Sequence, residues 1–269
     1  DGAGTAPTLA ASEFGVMHMI SSTCMPGLVE VAKSVNYPKL FQLYVRGDKN
    51  WVDDNIKSAM DHNYAGICLT VDLDAYGRRE RDLAKRYRTT SRQSASGFEY
   101  QMRFSWKDID RIKSYCNLPI IIKGIATKED ALLAIEHGVD VVYVSNHGGR
   151  QLDHGLGGLN VLPEIVDTIG DNAKVIFDGG IMRGTDVVKA IALGADCVGI
   201  GRLQGFAAAA GGSKAIVRML ELLEIEILTT LRLLGVNSFS QLDKSYLTKD
   251  SSFGSLNVLS SFPLIDEGY

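Results

Sequence analysis

The sequence predicts an α/β fold, a TIM-type (β/α)8 barrel whose first strand is missing, and three observations carry that expectation. Short β-rich runs alternate with helical patterns along the chain, as in a parallel sheet with helical crossovers. Candidate functional residues follow nearly every strand, and a closed barrel gathers those ends around one axis, whereas an open sheet collects them at one switch point. The strands number seven, and a lone helical stretch, Thr5–Phe14, precedes the first of them. It reads as the helix of a unit whose strand is absent, which leaves a sheet edge to be covered or paired.

After that helix come strand 16–20, helix 26–34, strand 40–45 and helix 50–62. Strand 66–71 is followed by a long interval, then helix 106–115, strand 119–123 and helix 128–137. Strand 140–145, helix 159–169, strand 174–178, helix 185–193, strand 196–200 and helix 213–234 complete the series. The strands are short apolar runs, as expected where both faces are buried. Most helices carry apolar residues at helical spacing, and several end at Gly or Asn. The barrel is expected to span 1–243, with an insertion loop at about 78–105 and a C-terminal tail at 244–269. The insertion is rich in Arg, Lys, Ser and Gln without a clear period, and reads as a mobile loop over the site mouth. Its basic residues Arg78, Arg79, Arg81, Lys85, Arg86, Arg88 and Arg92 fit a solvated loop, with an acidic membrane surface as a second reading. The tail, ending Leu264 to Tyr269, fits an arm over a neighbouring subunit or a frayed end.

The 269 residues are 45% hydrophobic and 22% charged, an ordinary globular composition. A net charge of −4 and a pI near 5.8 argue against nucleic-acid binding. No apolar run reaches the ~18 residues of a membrane span, and the start of the chain carries no secretory signal pattern. The expected location is cytoplasmic, with peripheral membrane association or an organelle as alternatives. Cys24, Cys68, Cys116 and Cys197 form no CxxC pair and read as reduced core or near-core residues. The five histidines show no metal-ligand spacing, and no metal is expected.

The most informative segment is Ser145-Asn146-His147-Gly148-Gly149-Arg150-Gln151, directly after the apolar run Val141–Val144. A buried strand there ends by presenting a histidine, two glycines and an arginine in one short loop. Glycines allow close backbone approach, the histidine is a candidate base, and the arginine suits a carboxylate. A tight turn with a solvated arginine is the plainer reading. Gln42, Tyr44 and Thr70 also fit as barrel filling, Asp178 with its two glycines as a turn, and Lys123 as a strand-end charge.

The chain resembles the FMN-dependent 2-hydroxy-acid oxidases and dehydrogenases, the family that includes glycolate oxidase, lactate oxidase, mandelate dehydrogenase and the flavin domain of yeast lactate dehydrogenase. The resemblance runs through FQLYV at 41–45, LTVD at 69–72, GRRERD at 77–82, IIKG at 121–124, SNHGGRQLD at 145–153 and DGGIMRGTD at 178–186. It implies FMN as cofactor and oxidation of an (S)-2-hydroxy acid to the 2-oxo acid. By that resemblance His147 takes the proton from the 2-hydroxyl or the α-carbon, and Asp72 orients and stabilises it when protonated. Arg150 and Arg79 grip the substrate carboxylate, and Tyr44 hydrogen-bonds the substrate. Lys123 lies by N1 and O2 of the flavin. Ser21, Gln42, Thr70 and Ser145 resemble flavin contacts, while Asp178, Gly180, Arg183, Gly201 and Arg202 belong to the flavin and phosphate end. The electron acceptor is O2 or a quinone or cytochrome, and the expected assembly is a homo-tetramer.

Two departures stand out. The family's phosphate-binding arginine in DGGxR is replaced by Met182, with Arg183 next, and the tryptophan after the paired serines of glycolate oxidase is replaced by Thr23. The first predicts that FMN is held more weakly or by another group, the second a wider or more polar pocket. A catalytically silent FMN-binding barrel, or another FMN barrel enzyme such as one like isopentenyl-diphosphate isomerase, is the alternative.

Overall fold

In the computed structural model, the described residues are 2, 4–87 and 101–248. They form seven parallel strands in sequential order: β1 (His18–Ser21), β2 (Lys39–Tyr44), β3 (Gly66–Thr70), β4 (Ile120–Ile125), β5 (Val141–Val144), β6 (Lys174–Asp178) and β7 (Cys197–Gly199). The helices are α1 (Thr5–Phe14), α2 (Leu28–Ser34), α3 (Lys49–Asp61), α4 (Glu80–Ala84), α5 (Trp106–Lys113), α6 (Lys128–Glu136), α7 (Gly158–Ile169), α8 (Gly184–Ala192) and α9 (Arg202–Leu234). Every expected strand is present, displaced by at most two residues at its ends. Residues 88–100, with Arg88 and Arg92, and the tail beyond 248, with Leu264 to Tyr269, lie outside the described residues.

Alternation along each strand divides its side chains between two environments. Outward-facing Phe41, Leu43, Ile67, Leu69, Ile120, Ile122, Val142, Val144, Val175 and Phe177 meet the inner faces of the helices, where Val31, Val52, Ile56, Ile112, Ala134 and Ile165 complete the main core. Inward-facing Cys68, Ile121 and Tyr143 form a smaller cluster with Met19, Leu40, Val141 and Ile176. Helix starts are fixed locally: Asp48 accepts from Trp51 N at 3.0 Å ahead of α3, and Thr127 from Asp130 N at 3.2 Å ahead of α6, the usual capping of free N–H groups.

Among the described residues no strand lies between β7 and β1. Helices bridge that side instead: Ala10 of α1 packs with Ile216, Met219 and Leu223 of α9, joined by Ile200 and Leu203. His18, at the start of β1, is tied to Thr8 of α1 at 2.9 Å, and burial lowers its pKa to about 4.

Three expectations need correction. Cys197 is exposed rather than in or near the core, because it sits on the strand at the unpaired side of the sheet, whereas Cys68 and Cys116 are buried. The helix expected at 213–234 is present as the second arm of α9, but a first arm from Arg202, set off by a break at Gly211 and Gly212, was not expected. Part of the insertion, α4, is helical. Among the described residues no helix is long and apolar enough to cross a membrane.

Candidate active site

The site is built at the C-terminal ends of the strands, beginning where β5 stops. Ser145 is buried, and the next turn is set by three successive left-handed residues, His147 (φ 58°), Gly148 (φ 68°) and Gly149 (φ 72°). A histidine rarely adopts this conformation, and such strain is tolerated where surroundings impose it. Here they do: His147 N donates to Ser145 Oγ at 3.2 Å, and Gly149 N to Asn146 Oδ1 at 3.0 Å.

The turn delivers His147 Nδ1 to Asp72 Oδ1 at 3.1 Å. A carboxylate can only accept, so Nδ1 carries a proton, and in the neutral ring that tautomer leaves the lone pair on Nε2. Asp72 follows β3 and is held there by neighbouring chain. A bulge in β4 sets Gly124 at φ 114°, and a Cβ at that position would lie 2.7 Å from Asp72 Cβ. Only glycine fits beneath the aspartate.

Gln151 ties the two loops together. Its Nε2 donates to the carbonyls of Asp72 (2.5 Å) and Ala75 (2.8 Å), and its Oε1 accepts from Gly77 N and from the Arg79 guanidinium, both at 3.3 Å. The Arg79 guanidinium also lies 5.3 Å from the Tyr76 ring centroid. Tyr44, at the end of β2, has its ring centroid 6.2 Å from that of His147. Burial, reinforced by the Asp72 carboxylate, pushes the Tyr44 phenol up to about 12, so it stays a hydrogen-bond donor at neutral pH.

Lys123, at the end of β4, donates to Ser145 Oγ at 2.6 Å and pairs with Asp178 Oδ2 at 3.0 Å. Beneath these groups, Gln42 donates to Thr70 Oγ1 at 2.7 Å inside the barrel.

These strand ends surround a cavity of about 600 Å3. It is lined by Tyr44, Lys123, His147, Gly148, Arg150 and Asp178, then by Gly179 to Met182, Gly199, Gly201, Arg202, Leu203 and Phe206. The structure therefore gathers eight expected residues around one space: Tyr44, Lys123, His147, Arg150, Asp178, Gly180, Gly201 and Arg202. Asp72, Arg79 and Ser145 stand behind them, bonded to lining residues or to Gln151. Gln42 and Thr70 are buried with each other, and Ser21 pairs in register with Gln42 while its hydroxyl meets Thr23 Oγ1 at 3.0 Å. Thr23 itself is not among the lining residues.

Arg183 departs from its expected place. Its guanidinium pairs with Glu226 of α9 at 2.6–2.7 Å, Glu226 also accepts from Gly184 N, and Arg183 does not line the cavity. The chain turns at the start of α8, so adjacent Met182 and Arg183 face opposite ways. Sequence reasoning also assigned no role to Gln151, Leu203 or Phe206. Gln151 stood inside a quoted motif, and a long amide directly after the paired functional residues was the available signal.

Comparison with known proteins agrees with this site. Residues 3–249 match the family model described as FMN-dependent dehydrogenase. The chain is 35% identical over 266 residues to a peroxisomal (S)-2-hydroxyacid oxidase of Arabidopsis thaliana, covering 92% of this chain and 73% of that protein. It is 34% identical to an L-lactate oxidase of a Nostoc species, covering 90% and 74%. It is 36% identical to an L-lactate dehydrogenase (cytochrome) of Wickerhamomyces anomalus, covering 86% and 44%. A crystal structure of mandelate oxidase superposes with a TM-score of 0.82 at 34% identity, covering 88% of this chain and 72% of that one. The chain belongs to the FMN-dependent dehydrogenase family, oxidoreductases of 2-hydroxy acids with FMN as cofactor and a TIM-barrel fold.

Proposed function

We propose that the protein oxidises an (S)-2-hydroxy acid to the corresponding 2-oxo acid, with His147 as the base. The observation that carries this is the His147–Asp72 pair, whose free imidazole nitrogen belongs to a ring lining the same cavity as Tyr44, Lys123 and Arg150. The residues present fit FMN. A Cβ at Gly180 or Gly201 meets nothing within 4 Å, so these glycines border open space beside the start of α9, the kind of barrel position where backbone N–H groups receive phosphate. Asp178 Oδ1 is buried without a hydrogen-bond partner in the structure, an acceptor suited to a hydroxyl-bearing chain. Bound FMN supplies the two-electron acceptor.

The chain's own groups divide the remaining work. His147 takes the proton of the 2-hydroxyl or of the α-carbon, and Asp72 stabilises the imidazolium that results. Arg150, on the cavity wall, receives the substrate carboxylate, a planar group that a guanidinium meets with two parallel hydrogen bonds, and Arg79, held behind the wall by Gln151, adds its charge to the same end. Tyr44, kept protonated by its environment, donates to the substrate. With FMN in the cavity, Lys123 would supply a cation to the edge of the ring where charge collects on reduction. The final acceptor is O2 or a quinone or cytochrome.

His147→Ala is expected to leave FMN bound and to slow flavin reduction by about 10²-fold or more, the scale of a lost general base. Anaerobic stopped-flow with a series of lactate, glycolate, mandelate and longer acids measures it. A rate within about threefold of wild type would remove His147 from the chemistry.

A further inference from the structure

Tyr143 reads at first as one more apolar residue of a buried strand. Its surroundings are more specific. It points into the barrel from β5, in register with Lys123 on one side and Ile176 on the other. The Lys123 ammonium lies 4.8 Å from the centre of its ring. Its hydroxyl occupies space that exists only because residue 199 is glycine, since a Cβ there would overlap the hydroxyl and crowd Asp178 Cβ at 3.2 Å. The large residue on β5 and the absent side chain on β7 thus fit each other across β6.

The three donors of the lysine can be followed one by one. One meets Ser145 Oγ at 2.6 Å and another Asp178 Oδ2 at 3.0 Å. The aromatic face closes a further side, and a cation this enclosed, its side chain only 14% exposed, is held strongly by a ring quadrupole. Lys123 also lines the cavity. Burial and the Asp178 carboxylate keep the Tyr143 phenol well above its usual range, so the ring stays neutral and adds no second anion beside the lysine.

We propose that Tyr143 is a positioning residue for the redox step: its ring fixes the Lys123 ammonium against Asp178 and Ser145 so that the remaining donor is aimed at the flavin. The inference rests on the reading that Lys123 meets the flavin edge. A fixed cation there favours the electron-rich reduced form and raises the midpoint potential. Loosening the cation lowers it.

The test is the midpoint potential of the flavin in the holoprotein, a quantity that a purely structural role does not move. Lys123→Met should lower the potential most, and Tyr143→Leu should lower it in the same direction by less. Tyr143→Phe, which keeps the ring face, should stay near wild type. Val142→Ala, which loosens the same strand on its helix-facing side, should leave the potential unchanged. If Lys123→Met lowers the potential and Tyr143→Leu does not, Tyr143 has no positioning role while the reading of Lys123 stands. An unchanged potential in Lys123→Met overturns both. A drop in Val142→Ala equal to that in Tyr143→Leu, or a drop in Tyr143→Phe of that size, overturns the role of the ring. Should Tyr143→Leu fail to fold, Gly199→Ala displaces the ring by pressing on the hydroxyl, and adding Tyr143→Phe removes that overlap, leaving tight contacts of 3.1 Å at the ring carbon and 3.2 Å at Asp178 Cβ. The potential should fall in the first and recover in the second, and absence of recovery overturns the proposal.

Discussion

The two ends of the cavity are built in opposite ways. At the end where β3 and β5 stop, side chains hold one another: Asp72 holds His147, Gln151 binds both loops and Arg79, and Ser145 receives both Lys123 and the His147 amide. At the end where β6 and β7 stop, Asp178 reaches across to Lys123, the rest of the wall is glycine with the apolar groups Ile181, Met182, Leu203 and Phe206, and among the described residues Arg202 is the one cation lining that end. It spends a donor on the Gly148 carbonyl at 3.2 Å. The first end is organised before any ligand arrives, as a site for proton transfer needs. The second is shaped to admit a phosphate but supplies little charge for it.

Damage at the organised end should therefore affect chemistry and spare cofactor binding. Gln151→Ala removes four hydrogen bonds at once, worth about 0.5–1.5 kcal/mol each, and frees the Asp72 loop from the Arg79 loop. The expected result is a fall in kcat/KM of about 10²-fold, close to 2.7 kcal/mol in transition-state stabilisation, with FMN affinity unchanged. Steady-state kinetics and a fluorescence titration of the apoprotein read the two quantities separately. Equal losses in both would mean that the two ends are not independent.

Charge added at the open end should do the reverse. Met182→Arg sets a guanidinium on the cavity wall where the chain has a thioether, and a charge-assisted hydrogen bond to phosphate is expected to tighten FMN by about 1–3 kcal/mol. Turnover at saturating FMN should change little. Unchanged affinity in the same titration would mean that Arg202 and backbone N–H groups already satisfy the phosphate.

The same contrast explains what was legible in the sequence. Buried parallel strands are apolar on both faces, so all seven stood out as short runs. The first arm of α9 did not, because Ala207 to Ala210 followed by Gly211 and Gly212 carries no apolar period for a helical face. The short α4, Glu-Arg-Asp-Leu-Ala, is too polar to show one. At the site, His147, Arg150 and Lys123 could be suspected from their positions at strand ends, whereas the pairing of His147 with Asp72, 75 residues apart, has no local signature and came only through the resemblance. Tyr143 was hidden because an aromatic residue in an apolar run is ordinary filling. Its inward direction followed from alternation with Ser145, but the lysine over its ring and the glycine facing its hydroxyl come from other strands.

Arg183 gives the smallest and sharpest test of the open end. Sequence adjacency made it the natural replacement for a missing phosphate cation, yet its guanidinium is taken by Glu226, whose other oxygen accepts the Gly184 amide at the start of α8. In that arrangement it pins α8 to α9, and Glu226 raises its pKa through a hydrogen bond and charge. Half-exposed ion pairs contribute up to about 1 kcal/mol, so Arg183→Gln should lower the midpoint of thermal unfolding by a few degrees at most. FMN affinity should stay within about twofold of wild type. A large loss of FMN affinity with unchanged thermal stability would mean that Arg183 leaves Glu226 for the phosphate when the cofactor binds, and that the open end acquires its second cation by rearrangement.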